Sequence, residues 1–476
     1  MFKTLVLIHR YIGIAIGLLM VLWCVSGIVM MYVQYPSLDQ NMRRQGLPPL
    51  DLTDCCQLPA DDTNDQTVDY LEIEMLANTP ILRLGWLPDD ELSINLRSGE
   101  WLYETSEQQA QKIADSFNHH AGYPGKPVYL GPVEKDQWTI QVKYSSHAPM
   151  YHFALNDPDN TELYISSTTG EVVLVTTAHQ RIWNWFGSVP HWLYFTTLRE
   201  DIRLWSNTVI VLSLIGTFLT LIGIYIGITK FRFKAKAQVR TPYKGWAYWH
   251  HIIGLVFGLF VLTWVISGFF SMAPFGFLTG ASHQEEAIRL RGEPMSWNQV
   301  EDIVTGLSSQ QFPGDVKILE VNTLLGKPAL VTYNSKNESS RINLETMEPD
   351  LIDEKLWTKI TASVGTDTQI LQSGWLNEGD SYYYEHHNQR RFPVYRIIVD
   401  DAGETHYYLD AVSGRMLDKM DGNRQWYRWL FNALHSWNFT ALFRTRPFWD
   451  GLMLLLLCGA TTVCMTGFYM GVRRYL

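Results

Sequence analysis

Four stretches of this chain, residues 11–33, 206–229, 246–282 and 451–472, contain no Asp, Glu, Lys or Arg. An α-helix needs about 20 apolar residues to cross a hydrocarbon layer of ~30 Å, and each stretch meets that length. In hydrocarbon every backbone N–H and C=O must be bonded within its own segment, so helices are the expected form. The 476-residue chain is therefore read as an α-helical membrane protein with a four-helix transmembrane bundle. Whole-chain averages conceal this, because mean hydropathy is near zero while the acidic residues gather between the apolar stretches.

Lys3 and Arg10 precede the first stretch, as they would in a signal peptide. The run is too long for an h-region and no Ala-x-Ala-like site follows, so a retained helix is expected. Lys230, Arg232, Lys234, Lys236, Arg240 and Lys244 crowd the link between the second and third stretches with no acidic residue among them. Arg473 and Arg474 follow the fourth, and positive charge of this kind marks the cytoplasmic face. Both termini are expected inside and the two long segments outside. A basic loop confined between spanning helices does not point to nucleic acid as a partner; membrane lipid is the partner it implies.

The expected order is a first spanning helix in residues 1–33, an outer α+β domain over 34–181 and an interfacial His/Trp-rich segment over 182–205. A second spanning helix follows at 206–229, a basic cytoplasmic loop at 230–245 and a third helix at 246–272. A second outer α+β domain at 273–424, an interfacial segment at 425–449 and a last helix at 450–472 complete it. Within the outer segments, Ala148-Pro-Met-Tyr-His-Phe, Glu162-Leu-Tyr-Ile-Ser, Phe392-Pro-Val-Tyr-Arg-Ile and His406-Tyr-Tyr-Leu-Asp read as strands, with turns at Gly170 and Gly414. Residues 106–117 and 297–307 are amphipathic at helical spacing.

The chain resembles itself. At an offset of 241, His9, Ile12, Gly13, Gly17, Leu18, Trp23, Ser26 and Gly27 match His250, Ile253, Gly254, Gly258, Leu259, Trp264, Ser267 and Gly268. At 244, Trp185, His191, Phe195, Thr196 and Trp205 match Trp429, His435, Phe439, Thr440 and Trp449. Two tandem copies, each a helix, an outer domain and a returning helix, are the economical reading. Such copies would be related by a pseudo-two-fold along the membrane normal. Glycines four apart (Gly13/Gly17, Gly254/Gly258, Gly223/Gly227, Gly467/Gly471) let helices approach closely or make room for a flat cofactor.

Of the 14 histidines, the self-similarity pairs His9 with His250 and His191 with His435. A histidine in a spanning helix is costly and calls for a partner. Two neutral imidazoles facing each other across a two-fold suit bis-histidine ligation of haem iron, one ring on each face. His251 adjoins His250 and is an alternative to it, but adjacent helical residues point about 100° apart, so only one can face a given site. His191 and His435 precede the second and fourth helices among tryptophans that belong at an interface. Arg199, Arg203, Arg444 and Arg446 stand near them as candidate partners for carboxylates. His147, His152, His386 and His387 read as solvated strand histidines. Cys24, Cys458 and Cys464 read as small packing residues, whereas Cys55 and Cys56 are adjacent in an exported segment that favours oxidation.

The motifs Leu7-Ile-His-Arg-Tyr-Ile-Gly with Trp23-x-x-Ser26-Gly27, and Trp249-His-His-Ile-Ile-Gly with Trp264-x-x-Ser267-Gly268, carry a family resemblance. So do Leu434-His435 and the pattern from Pro393-Val-Tyr to Tyr408-Leu-Asp-x-x-Ser-Gly-Arg415. With these the chain resembles the PepSY-associated transmembrane-helix proteins of bacterial inner membranes, over most of its length and least in residues 37–115. Some members are ferric-siderophore reductases with haem b in a four-helix bundle. The resemblance implies PepSY-like periplasmic domains and two haem b groups on His9, His250, His191 and His435. It also implies a ferric chelate or siderophore as acceptor, and a separate electron donor, either a quinol or a cytoplasmic flavoprotein. Pro190 stands before His191 where the second copy has Leu434, a departure from the pattern. The alternative is a non-enzymatic membrane-anchored PepSY module that binds a peptide, protease or receptor.

Overall fold

The computed structural model describes residues 2–59, 67–86, 90–232, 241–365, 368–386 and 389–473. Lys234, Lys236, Arg240, His387 and Arg474 lie outside the described residues. Two compact units result. One gathers Met1–Tyr35, Gln180–Gly280 and Gly422–Leu476, and the other Pro36–His179 and Ala281–Asp421.

The first unit holds four helices long and apolar enough to cross a membrane: Phe2–Met30, Ile202–Lys230, Trp246–Phe270 and Phe448–Arg473. At 1.5 Å per residue, even the shortest is longer than the ~30 Å hydrocarbon layer. The first begins well before its charge-free run, since Lys3 and Arg10 sit in its opening turns, where long basic side chains can snorkel to the interface. Glycine decides how closely these helices pack. A Cβ on Gly459 would lie 2.3 Å from Phe257, one on Gly471 2.5 Å from Ile14, and one on Gly17 3.2 Å from Phe468. Around them Ile16, Met20, Leu219, Val261, Val265, Ala460 and Cys464 form the bundle core.

The second unit is α+β and entirely antiparallel in its main sheets. A seven-stranded sheet runs Ser339–Ile342, Lys327–Asn334, Val316–Leu324, Tyr70–Leu76, Thr79–Trp86, Asp90–Asn95 and Glu100–Leu102. Its central pair, Ile318 on Glu74 through Asn322 on Tyr70, joins the two long segments into one sheet. The segments expected as two separate outer domains therefore share one compact unit, because their inner strand edges satisfy each other. Each segment adds a four-stranded sheet: Val128–Val133, Met150–Ala154, Glu162–Ser166 and Val172–Thr176 in one, Ile370–Leu376, Val394–Val399, His406–Asp410 and Met416–Met420 in the other. The turns before the last strands bring Gly170 and Gly414 to φ of +72° and +74°, which glycine adopts without steric cost.

The amphipathic stretches are helices Glu107–His120 and Trp297–Ser308, each opened by a capping box, Ser106 with Gln109 and Ser296 with Gln299. The first lays Ala110, Ile113, Ala114 and Phe117 on Phe153, Leu163 and Ile165. Under the seven-stranded sheet lies a buried ion network. Glu74, wholly buried, receives Arg83 Nε at 2.8 Å and Nη2 at 2.7 Å on Oε1, and Arg43 Nη2 at 2.5 Å on Oε2. Arg43 also meets Glu171 at 2.6 Å. Burial pushes the Glu171 carboxyl up, but Arg83 and then Arg43 outweigh it and hold the group at about 2.

Removing one partner of such a network leaves the others buried without compensation. Glu74→Gln should therefore cost about 3–5 kcal/mol, read as a lower denaturant midpoint of this unit. A loss of unfolding free energy below ~0.5 kcal/mol would contradict the role given to Glu74. Because the Glu171 carboxyl is depressed in the folded state, its contribution is complete above its unfolded value of about 4.3. It should then be lost as the pH falls from there towards 2, measurable as acid-dependent unfolding that Glu171→Gln flattens.

Candidate functional site

Four imidazoles meet in two pairs within the membrane unit. His9 and His250, in the opening turns of the first and third helices, have ring centres 6.3 Å apart with planes at 45°. His191 and His435 have ring centres 5.8 Å apart with planes at 79°. One member of each pair comes from each half of the chain. The pairs lie at different depths: His9 is near the start of its helix, and His191 touches that helix at Trp23 and Ser26, about 20 Å further along at 1.5 Å per residue.

Each ring is held by Nδ1. His9 Nδ1 lies 3.1 Å from the Leu219 carbonyl oxygen. His250 Nδ1 lies 3.1 Å from the Val463 carbonyl and 3.1 Å from Thr466 Oγ1. His191 Nδ1 is 3.1 Å from the Trp23 carbonyl and 3.0 Å from Ser26 Oγ. His435 Nδ1 is 2.9 Å from Ser267 Oγ, whose own hydroxyl donates to the Trp264 carbonyl at 3.0 Å. A carbonyl oxygen only accepts, and a serine that has already given its proton can only accept, so each Nδ1 carries the hydrogen. The neutral ring then presents its lone pair at Nε2, the usual arrangement when a backbone carbonyl orients a metal-ligating histidine. No described residue hydrogen-bonds Nε2 of any of the four.

The local sequence makes room for these rings. A Cβ on Gly223 would lie 2.6 Å from His9 Cε1, and one on Gly467 2.9 Å from His250 Cε1. Gly27 faces His191 Cε1 at 3.6 Å. Gly13 and Gly254, one turn after His9 and His250, are different: a Cβ there would meet nothing closer than Leu219 at 3.9 Å and Val463 at 4.0 Å. Those are ordinary van der Waals distances, so helix packing does not require glycine at either position.

His191 sits in the short helix Ser188–Trp192, where Pro190 falls in the first turn and withholds no needed N–H. Leu193, at φ +53°, ends that helix in the left-handed region. His435 sits in Leu434–Ser436, entered through the π-helical turn Arg428–Ala433 and ended by Trp437, also at φ +53°. Trp264 Nε1 donates to the His435 carbonyl at 2.8 Å. The Trp-x-x-Ser-Gly motifs thus have a physical task that sequence reading left unassigned: their Ser hydroxyl, joined in the first copy by the Trp23 carbonyl, orients an imidazole of another segment. Their recurrence beside recurrent histidines was the available signal.

His251 turns elsewhere. Its Nδ1 lies 2.7 Å from Thr241 Oγ1 and its Nε2 2.8 Å from the Gly227 carbonyl, so both ring nitrogens are engaged. His250 is the one that faces His9. Arg446 donates to the Met31 carbonyl at 2.8 Å and Arg444 to the Asn438 carbonyl at 3.2 Å. Arg199 lies over the rings of Trp205 and Tyr194, at 4.5 Å and 5.4 Å, and its buried Nε and Nη1 have no hydrogen-bond partner among the described residues. His147 and His152 belong to the α+β unit, on Ser166 at 3.1 Å and Glu162 at 3.0 Å.

The imidazoles of each pair, one from each half of the chain and with Nε2 free of any described hydrogen-bond partner, could serve as the two protein ligands of a haem iron. The residues present fit a bis-histidine haem. Gly223→Ala should displace the His9 ring by overpacking and cost about 1–3 kcal/mol in thermal stability. Gly13→Ala, whose Cβ would meet Leu219 at an ordinary contact distance, should leave the stability of the ligand-free protein unchanged. Equal losses in the two variants would contradict the packing described.

No curated protein matches the chain. The family model described as the PepSY-associated TM region matches residues 6–474. With four apolar helices of spanning length and that match across almost its whole length, the chain is a membrane protein of the PepSY-associated TM region family.

Proposed function

We propose that this protein is a haem-dependent electron-transfer protein of a bacterial inner membrane that reduces ferric iron in a periplasmic chelate such as a siderophore. The observation that carries this reading is the pair of opposed, Nδ1-anchored imidazole couples, His9 with His250 and His191 with His435, each with its Nε2 lone pairs uncommitted. Bound haem b would supply one-electron redox chemistry, and the chain needs no nucleophile or acid–base pair of its own. Its residues hold the imidazoles in one tautomer, exclude water by burial in the bundle and set the two sites at different depths. Gly13 and Gly254, where packing does not demand glycine, stand one turn from the first pair. Arg199, with buried N–H groups unpaired, is suited to a propionate beside the second.

The basic link between the second and third helices puts both termini in the cytoplasm and the α+β unit in the periplasm by the charge rule. The donor is then a quinol or a cytoplasmic flavoprotein, and the acceptor a hard-oxygen chelate that holds Fe(II) far less tightly than Fe(III). The two halves are read as duplicated copies of one unit. Left-handed Leu193 and Trp437, each two residues after a histidine of the second pair, support that reading, as do Gly170 and Gly414.

The direct test is a visible spectrum of the detergent-purified protein before and after dithionite. A Soret band that sharpens and shifts, with α and β bands, is expected; a colourless preparation that binds no added hemin would sink the proposal. His9→Ala with His250→Ala should remove about half the haem, and Gly13→Ala should reduce haem content at the first site while sparing the second. Loss of all haem from either variant would contradict two independent sites. The dithionite-reduced protein, freed of reductant, should be reoxidised by a ferric siderophore with Fe(II) captured by a chromogenic chelator.

A further inference from the structure

Cys24, in the first spanning helix, and Cys464, in the fourth, are free thiols of the same packed core. Cys24 packs against the buried cluster that includes Cys464. Contacts on both sides of them fix how the helices run. Gly27 faces Leu457, Gly17 faces Phe468 and Gly471 faces Ile14, so positions rise along one helix as they fall along the other. Cys24 lies between Gly17 and Gly27, and Cys464 between Leu457 and Phe468, so the thiols fall within about one turn of each other on facing helices. Cys464 is 8 % exposed, while Cys24 keeps part of its surface open at the bundle's edge. The sequence offsets that superpose the halves carry Cys24 to Val265 and Cys464 to Thr220, so the other half has no such pair. Two small residues suffice for packing there, and only here are both of them thiols.

We infer that Cys24 and Cys464 form an oxidisable thiol pair that closes a disulfide between the first and fourth helices within the bundle. Both S–H bonds break and one Sγ–Sγ bond forms. The two electrons and two protons pass to a lipid-soluble two-electron oxidant of the quinone class, which leaves as the quinol. Thiols of one packed core on helices in close contact can meet disulfide geometry with a modest shift, and the membrane is where such an oxidant dissolves. The bond would tie together two anchoring points. Cys24 follows Trp23, whose carbonyl orients His191, and Cys464 follows Val463, whose carbonyl orients His250. The inference does not depend on haem being present.

The test uses the full chain carrying Cys458→Ala in detergent, labelled with a maleimide under denaturing, non-reducing conditions and mapped by peptide mass. Cys24 and Cys464 should both label in the dithiothreitol-treated, desalted protein. After decylubiquinone or diamide both labels should vanish together and return with dithiothreitol, with one more quinol formed per chain in the quinone arm than in the Cys24→Ser chain. A protein isolated with both positions already blocked and released by dithiothreitol gives the same answer. In the Cys24→Ser chain, Cys464 should stay labelled under the same oxidant. Thiols that still label after both oxidants, or a Cys464 lost as readily without Cys24, would overturn the pair.

Discussion

The membrane unit depends on one requirement: a polar group taken into hydrocarbon must be bonded there. The four paired imidazoles meet it in the same way, through Nδ1 to a main-chain carbonyl or to a serine that has already donated its proton. Each bond links separate segments, so it fixes the position of a helix as well as the orientation of a ring. His9 is tied to the second helix at Leu219 and His250 to the fourth at Val463. The first and third helices hold the second pair through Trp23, Ser26 and Ser267. A carbonyl already used by its own helix spares a second lone pair for three of these rings, and the Ser267 hydroxyl serves the fourth.

The α+β unit faces the same constraint in another medium. Its buried charges lie on the faces of one seven-stranded sheet, where Glu74 takes both Arg43 and Arg83. Net stabilisation from such a network is modest because desolvation opposes it, but breaking it is expensive. It therefore acts mainly to specify register. The central strands of the sheet come from segments more than 200 residues apart, and a slip of one residue would send Glu74 to the other face.

Much of this was legible in the chain. Charge-free runs identified the helices, alternating residues located Glu162–Ser166 and His406–Asp410, and self-similarity singled out four histidines of 14. The choice between His250 and His251 was not legible, since it turns on which neighbouring helix offers a carbonyl at which depth. Nor were the tasks of Gly223 and Gly467, which face imidazoles, as against Gly17 and Gly459, which face packing side chains. A glycine reads the same in sequence whichever neighbour it admits. The thiols of Cys24 and Cys464 were taken singly as packing residues because 440 positions separate them in the chain.

The sequence by itself determined what is local: helix length, strand alternation, caps such as Ser106 with Gln109, and the recurrence of His, Trp-x-x-Ser and Gly at a constant spacing. These follow from hydrophobic burial and backbone geometry acting over one or two turns. Tertiary structure decided every relation between distant segments. It brought the imidazoles into pairs with centres 6.3 Å and 5.8 Å apart, chose the carbonyls that hold them and joined the two long segments in one sheet. The physical reason is that a donor's partner is set by where helices cross and strands meet, and those crossings are settled by close packing of the whole bundle and sheet.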